Sequence, residues 1–428
     1  MTPPMSSWLV AGLATAILAV GSAAAQEKVT LNFLHKWPEP DNAKYFQTVV
    51  KEFEATHPNV TIRMEAVADD PYKDKIRVIM SSGNVPDIFF SWSGEYVAQF
   101  VRAGRALDLT AAFAEGDWQS RFSDATLEPF RVGKGIYGVP MNLSGKFVAY
   151  NKAHFAKVGA QPPADFDELV AIMEKLKAAG ITPFAFGGQA PWADAHYIGD
   201  FNAKLVPEAV RRADYALTSP DAELFTHPGY VEALAKFQDF AARGWFNKGP
   251  NAITNAIARG SFTAGREAMF FEETLGFKQY QNSKLAADGF GFFQMPPMKG
   301  AAGRQDLLTG APDGFVVSAT SKAPKEALEF LRFLTTKENG AAWTKASGRP
   351  SAVKGAVTTA NALPEVVAGV EAIGRVPGMA IWLDTAVDSR IVGVWLPGMQ
   401  AVLGGTESPA QVMAKVRQTA LQVKSERK

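Results

Sequence analysis

Apolar side chains change repeatedly between a strand period and a helix period in the first part of the chain, and this alternation constrains the fold most. Val29, Leu31 and Phe33 recur at every second residue, as on one face of a β-strand. Residues 45–53 instead place tyrosine, phenylalanine and valine side chains on one face of a helix, and residues 60–80 repeat both periods. Strands that alternate with helices predict an α/β fold, in which helices cover both faces of a sheet.

Two tryptophans follow predicted strands of this sheet. Trp37 and Glu39 lie in the loop after the first strand, and Trp92 follows the apolar segment 86–90. Open α/β sheets bind ligands outside the carboxyl ends of their strands. We therefore expect both loops to contribute to a ligand site, although Trp37 and Glu39 fit a surface loop that packs on the sheet edge equally well.

The N-terminal segment has the pattern of a cleaved secretory signal. Residues 8–20 are mostly apolar, and small residues follow them up to Ala25. The apolar run is shorter than the about 20 residues that span a membrane. Although the segment lacks the usual positive charge at its start, this order is typical of a signal peptide over residues 1–25. The sequence therefore predicts a periplasmic protein.

The composition excludes several kinds of protein. The 428 residues contain no cysteine, which excludes a disulfide framework, thiolate metal sites and a lipid anchor on an N-terminal cysteine. The formal net charge is +1, and acidic and basic residues are mixed along the chain, so we expect no nucleic-acid partner. No motif predicts a metal or another cofactor. A chain of this length is expected to fold into about two domains.

The run from Tyr137 to Phe184 contains the most informative series of motifs. It reads YGVPMNLSGKFVAYNKAHFAKVGAQPPADFDELVAIMEKLKAAGITPF. The pattern predicts a strand that enters a short apolar segment, a second strand that ends in Y-N-K, and a helix after the two prolines. Asp165 is placed to cap that helix with Glu168 as its partner in a capping box, and Gly180 is placed to end it.

The order of these motifs resembles the sugar-binding receptors of ABC importers, the maltose-binding-protein superfamily. The resemblance continues through P-D-I-F-F-S-W, F-T-A-G-R-E-A-M-F-F, A-P-D-G-F-V-V-S and V-W-L-P-G-M-Q-A-V-L, and so covers nearly the whole chain after the signal. It implies a two-lobed periplasmic-binding-protein fold of the α/β class, with a ligand cleft between the lobes. Lobe I is then expected to contain residues 27–139 and 296–343, and lobe II residues 140–295 and 344–428.

The resemblance also implies a function. It predicts a periplasmic substrate-binding component of an ABC importer, which binds a mono- or oligosaccharide by closing about a hinge. The closed receptor would deliver the sugar to a permease in the inner membrane. Receptors of this type are monomers by default and catalyse no reaction.

Sugar recognition needs flat aromatic rings against C–H faces and planar polar groups against hydroxyls. The loops described above and the positions that match family contacts supply the candidate ligand-binding residues: Trp37, Glu39, Trp92, Asn142, Trp192, Glu272, Glu273, Asp313, Arg349, Trp382 and Trp395. Two of them have a simpler alternative. Trp395 has apolar neighbours and fits a core position, and Asp313 in a Pro-Asp-Gly turn fits a turn former. The remaining Trp118, Trp245 and Trp343 are expected to be packing residues.

One stretch departs from the maltose-binding type. Where that type has a tryptophan platform, this chain has Leu275, and the carboxylates of Glu272 and Glu273 precede it. The difference argues against a maltodextrin ligand. It predicts more polar recognition, of a smaller or differently shaped glycan, a polyol or a cationic sugar.

Two other functions stay open at this point. A receptor for a phosphorylated polyol, such as a glycerol phosphodiester, would use the positive charge of His35, Lys36, Lys146 and Arg349. A secreted glycoside hydrolase would need two carboxylates that flank one bond. The two adjacent glutamates lie on a predicted strand and point to opposite faces, so the sequence favours a binding protein over an enzyme.

Overall fold

The structure is a computed structural model that describes Met1 and residues 27–427, except for the side chain of Asp70. The predicted signal peptide, apart from Met1, lies outside the described residues.

The strands are β1 (Val29–His35), β2 (Val60–Ala66), β3 (Ile88–Trp92), β4 (Arg131–Val132), β5 (Gly135–Ile136), β6 (Val139–Asn151), β7 (Thr182–Ala185), β8 (Glu267–Glu273), β9 (Phe290–Phe293), β10 (Leu308–Val317) and β11 (Met379–Ala380). The helices are α1 (Pro40–Thr56), α2 (Asp69–Ser82), α3 (Glu95–Arg102), α4 (Thr110–Phe113), α5 (Asp124–Leu127), α6 (Lys152–Lys157), α7 (Phe166–Ala178), α8 (Trp192–Leu205), α9 (Glu208–Tyr215), α10 (Pro228–Ala242), α11 (Asn255–Thr263), α12 (Lys284–Asp288), α13 (Pro324–Leu334), α14 (Lys337–Ser347), α15 (Pro364–Arg375), α16 (Leu383–Ala386), α17 (Ser389–Leu403) and α18 (Pro409–Glu426).

Within residues 27–427, nine of the strands form one mixed sheet. Its order is β2-β1-β3-β10-β6-β8-β7, with β11 beside β10 and β9 beside β6. Strand β1 is parallel to β2 and β3, whereas β6 and β10 are antiparallel to each other. The predicted α/β class is confirmed.

Strand β6 runs from one half of the sheet into the other. Its residues 139–145 pair with β10, whereas residues 146–151 pair with β8 and β9. Residues 313–317 of β10 in turn pair with β3. The sequence predicted two strands with an apolar segment between them, but the structure has one strand of 13 residues because pairing continues along it. The chain therefore passes between the two halves along the paired strands β6 and β10, and residues 350–352 bond to β6 at the same place.

The two largest hydrophobic cores of the described residues lie on either side of this pairing, and a third, smaller core contains Phe147, Phe270 and Phe277. One core contains residues between 31 and 141 and between 315 and 356, and we call the part of the chain around it the first half. The other contains residues between 148 and 298 and between 383 and 423, and it defines the second half. Each half is therefore built from separate chain segments. The lobe boundaries stay a prediction, although the first core extends past residue 343, where lobe I was expected to end.

Helix α7 begins at the predicted cap with one difference. The Asp165 carboxylate accepts a hydrogen bond from the Glu168 backbone N–H at 2.9 Å, as predicted. The Glu168 carboxylate, however, accepts from the backbone N–H of Ala164 at 2.8 Å instead of from Asp165. The helix therefore has the Asp165 cap without the reciprocal bond of a capping box. Gly180, just after the helix, has a φ of 74°, which glycine adopts without strain.

Among the residues that the structure describes, no helix combines the length and the apolar character that a membrane crossing requires.

Candidate ligand-binding site

A chain of polar contacts crosses the centre of the sheet. The side-chain amide of Asn142 on β6 donates to the carboxylate of Asp313 on β10 at 2.7 Å, and its carbonyl oxygen accepts from the Trp343 indole N–H. The second carboxylate oxygen of Asp313 lies 3.4 Å from the Lys36 ammonium, which also pairs with Asp69 at 2.7 Å. The loop after β1, the start of α2 and the two crossing strands thus meet at one point.

A β-bulge in the pairing of β6 with β10 lies at Asp313, where these residues meet. Asp313 pairs with Asn142, whereas the next residue, Gly314, pairs with Pro140, so one residue of β6 is left without a partner. A Cβ atom on Gly314 would lie 2.0 Å from the carbonyl oxygen of Val139. Only glycine therefore allows the two strands to approach this closely, and the bulge depends on it.

Two ammonium groups lie close to the ring of Trp92 at the end of β3. The Nζ atom of Lys36 is 4.6 Å from the Trp92 ring, and that of Lys73 is 5.0 Å from it. Lys73 belongs to α2 in the first half, but it pairs with Asp384 of α16 in the second half at 3.2 Å. The two halves therefore meet directly beside Trp92.

The charge of this cluster is balanced. Burial alone would raise the pKa of Asp69, but the positive charges of Lys36, Lys73 and Arg349 hold that pKa below its usual value. Asp69 is therefore ionised at neutral pH. Each of these cations acts on a carboxylate in the cluster, so little positive charge is left for an anionic ligand.

The second half contributes Lys146 and His196. Lys146, on β6, is only 3% exposed, and its Nζ atom lies 2.8 Å from Nδ1 of His196 on α8. Burial lowers the pKa of His196 well below its usual value, and the adjacent Lys146 charge acts in the same direction. A neutral His196 accepts from the ammonium at Nδ1 and carries its proton on Nε2. The pair thus presents a fixed set of hydrogen-bond donors.

Two tryptophans contact this pair. The ring of Trp382 stacks on His196 with centroids 4.3 Å apart, and the centroid of the Trp192 ring lies 5.2 Å from that of His196 in a tilted arrangement. The ammonium of Lys146 is 5.7 Å from the Trp192 ring. Of the predicted residues, Trp192 and Trp382 therefore lie together with polar groups of the second half, as a sugar site requires.

The two adjacent glutamates have different roles. Glu272 is fully buried and forms an ion pair with Arg259, supported by the Tyr280 hydroxyl at 3.3 Å. Glu273 instead accepts from the Ser144 hydroxyl at 2.8 Å and lies opposite Lys146 in the sheet register. Only Glu273 lies beside the polar cluster, and we remove Glu272 from the candidate site because its carboxylate is already fully occupied.

Trp37 and Trp395 are core residues in the structure. Each is 1% exposed. Trp37 packs against Phe90 and Trp343 in the first core, each with ring centroids 5.1 Å away. Trp395 packs against Phe225, 5.6 Å away, in the second core. Neither ring has a free face for a sugar, so we remove both from the candidate site. For Trp395 this was the simpler alternative.

Glu39 and Arg349 lie at the edge of the candidate ligand-binding site. Glu39 is exposed before α1 and accepts from the Asn42 side chain at 2.9 Å, which gives it a local role in the helix start. Arg349 is half-buried, and its positive charge acts on Asp69. We keep Arg349 in the candidate site and leave Glu39 out.

Sequence reasoning missed Lys73, His196 and Asp384. His196 lies four residues after Trp192 on the same helix, a spacing that places two side chains on one face. That spacing was the available signal for His196. The Lys73–Asp384 pair joins residues far apart in the chain, and no local pattern indicates it.

Comparison with known proteins identifies the family. The model for bacterial extracellular solute-binding proteins matches residues 36–341, which is more than half of the chain. A putative binding protein of Brucella abortus is 27% identical over 352 residues, covering 79% of each chain. The multiple sugar-binding protein of Streptococcus mutans is 25% identical over 357 residues, covering 81% of each chain. The solved structure of a chitin oligosaccharide binding protein has a TM-score of 0.82 at 24% identity, covers 93% of this chain and 99% of that chain, and confirms the two-lobed fold. This chain therefore belongs to the family of bacterial extracellular solute-binding proteins.

Proposed function

We propose that the protein is the periplasmic sugar-binding component of an ABC importer. The observation that carries the proposal is the meeting of two half-sites beside the crossing strands. Trp92, Lys36 and Asp313 belong to one half-site, and Trp382 and His196 belong to the other. The names of similar proteins, which include a multiple sugar-binding protein and a chitin oligosaccharide binding protein, support this ligand class.

The chemistry of the two half-sites suits a neutral, hydroxyl-rich ligand. Indole rings cover the C–H faces of a sugar, and charged groups form strong hydrogen bonds with hydroxyls. Asp313 and Glu273 are acceptors, whereas Lys146 and the Nε2–H of His196 are donors. A closed site of this kind rejects a sugar that lacks a hydroxyl, because one buried polar group then loses its partner.

The proposed mechanism is closure about β6 and β10. Ligand would bind between the separated halves, and contacts from both sides would then favour the closed form. The Lys73–Asp384 pair supports this mechanism because it connects the halves directly. A closed, loaded monomer would then deliver the sugar to a permease in the inner membrane.

A phosphorylated polyol is less well supported. His35, one of the residues considered for anion binding, is buried in the first core and stacks near Trp37 with centroids 6.4 Å apart. Lys36 already contacts two carboxylates, Asp69 and Asp313. A glycoside hydrolase is also less well supported, because the ion pair of Glu272 with Arg259 occupies one carboxylate of the adjacent pair. We propose that the protein catalyses no reaction.

A thermal-shift screen of the mature chain tests the proposal. The panel contains mono- and disaccharides, polyols, amino sugars, and sugar and glycerol phosphates. A ligand at 100 times its Kd adds about 2.7 kcal/mol of stability, which raises the midpoint by a few degrees. We expect a shift with a neutral sugar, recovery of that sugar unchanged, and loss of the shift in Trp92→Ala but not in an exposed control, Ile257→Ala.

Three results would contradict parts of the proposal. A shift only with phosphates that weakens with added salt would favour the polyol receptor. Recovery of a converted sugar would establish an enzyme. An unchanged radius of gyration at saturating ligand, measured by small-angle scattering, would exclude hinge closure.

A further inference from the structure

Arg427 forms ion pairs with both halves of the molecule. It follows α18 of the second half directly. Its Nη2 atom lies 2.6 Å from a carboxylate oxygen of Glu95, the first residue of α3 in the first half. The same nitrogen lies 2.6 Å from a carboxylate oxygen of Asp388, which caps α17 in the second half. One guanidinium nitrogen therefore binds a carboxylate from each half.

Each of these carboxylates also has an arginine in its own half. Glu95 forms an ion pair with Arg102, seven residues later on α3. Asp388 accepts hydrogen bonds from the Nε and Nη2 atoms of Arg390, each at 3.0 Å. Neither half therefore needs Arg427 to balance its buried negative charge. The contact that Arg427 adds is the one between the halves.

The three groups are charged at neutral pH and partly shielded from water. Burial alone would raise the pKa of Asp388, but the hydrogen bonds from Arg390 and Arg427 lower that pKa to about 2. The side chains of Glu95, Asp388 and Arg427 are 14%, 8% and 23% exposed. Because water surrounds these side chains only in part, the Arg427–Glu95 pair is screened less than a fully exposed ion pair.

The geometry of the pair depends on the distance between the halves. On one side, the backbone N–H of Arg427 donates to the carbonyl oxygen of Val423, whose side chain lies in the second core. On the other side, Gly94 precedes Glu95, and a Cβ atom on Gly94 would lie 3.1 Å from the carbonyl oxygen of Thr385 in α16. The halves thus touch beside the pair, and a rotation that separates α3 from α16 also separates Arg427 from Glu95.

We propose that Arg427 and Glu95 form an electrostatic latch that stabilises the closed arrangement of the two halves. The latch contributes its free energy independently of any ligand, so it sets the fraction of the receptor that is closed before binding. That fraction in turn affects the apparent affinity for a ligand. The inference goes beyond the proposed function, because it concerns the equilibrium between the two arrangements and not the identity of the ligand.

Pulsed electron paramagnetic resonance on the full mature chain tests the inference. Spin labels are attached at Val78→Cys on α2 and Gln418→Cys on α18, two exposed positions in different halves. The chain has no cysteine of its own, so both labels attach only there. We expect Arg427→Gln and Glu95→Gln each to raise the ratio of the longer to the shorter distance population by about two- to fivefold. The double variant should raise this ratio no further, because both substitutions remove the same pair.

Salt and a matched variant supply the controls. At about 1 M NaCl the screening length falls to about 3 Å, and the wild-type ratio should shift in the same direction as in the variants. Lys415→Gln removes a pair with Glu407 on α18 that lies within the second half, and it should leave the ratio unchanged. Thermal unfolding verifies that each variant is folded.

Two results would overturn the latch. One is an unchanged distance distribution in both Arg427→Gln and Glu95→Gln. The other is a double variant whose effect equals the sum of the two single effects in free energy, because the two residues would then act independently. The measurement uses no ligand, so its failure would leave the proposed sugar-binding function standing, and a sugar screen without a positive result would leave the latch standing.

Discussion

The side chains of Lys73 and Asp384 lie 3.2 Å apart, although one belongs to the first half of the molecule and the other to the second. The same Lys73 ammonium lies 5.0 Å from the ring of Trp92. The Asp384 side chain is 7% exposed, so the pair is partly shielded from water. This contact places the Trp92 ring, a proposed sugar-binding surface, beside the point where the distance between the two halves is set.

The Asp384→Asn variant should bind ligand more weakly. Loss of the pair removes about 1–2 kcal/mol from the closed form, which corresponds to roughly a 5–30-fold higher Kd. Calorimetry measures this change, and small-angle scattering should detect a larger radius for the variant at equal ligand saturation. Asp74→Asn is the matched control, because Asp74 pairs with Arg77 at an exposed position of α2, the helix that carries Lys73. Equal affinities for wild type and Asp384→Asn would show that the pair has no part in closure.

Substitution of the two adjacent glutamates should separate stability from binding. Glu272→Gln leaves Arg259 buried beside a neutral partner, which costs about 3–5 kcal/mol of unfolding free energy. Its ligand affinity should stay unchanged at temperatures where the variant is folded. Glu273→Gln should have the opposite profile, with a small stability change and a clear loss of affinity. Urea unfolding and calorimetry on both variants check this, and a stable Glu272→Gln variant that fails to bind would return Glu272 to the site.

Substitutions of Trp395 and Trp382 should likewise separate an effect on stability from an effect on ligand affinity. Trp395→Ala creates a cavity in the second core and should cost about 3–5 kcal/mol of stability without a specific effect on affinity. Trp382→Ala removes a ring that stacks on His196 and should reduce ligand affinity more strongly. Thermal unfolding and calorimetry measure both effects. A folded Trp395→Ala variant with abolished binding would contradict the core assignment.

His35 should make the protein sensitive to acid. Burial lowers the pKa of His35 to about 4 from its ordinary 6.5, so the unfolded chain binds more protons between these values. The contribution of His35 is therefore fully present above pH 6.5 and is lost as the pH falls toward 4, by about 3 kcal/mol in total. The His35→Asn variant keeps an acceptor for the Trp37 backbone N–H and should lose less stability over this range. Urea titrations at pH 7, 5 and 4 provide the comparison, and parallel losses in both proteins would exclude His35 as the cause.

Local features of this protein could be predicted from its sequence. The strands and helices between Val29 and Trp92 follow the change of apolar period, and Asp165 caps α7 as expected. The same local chemistry begins α13 at Pro324 and caps α18 with Ser408. Such features depend on backbone groups and side chains a few residues apart, and the sequence contains all of that information.

The tertiary structure alone decided which predicted residues form the candidate site. Trp37 and Trp395 are 1% exposed and lie inside the cores, whereas Trp92 and Trp382, each 7% exposed, lie at the edge of the packed residues where the halves meet. An indole beside apolar neighbours looks the same in sequence whether its outer face meets core residues or a cleft. The contact that separates the two cases comes from side chains more than a hundred residues away, as between Lys73 and Asp384. Those distances are set by the crossing of β6 and β10 and by the packing of the two cores, which no short sequence pattern encodes.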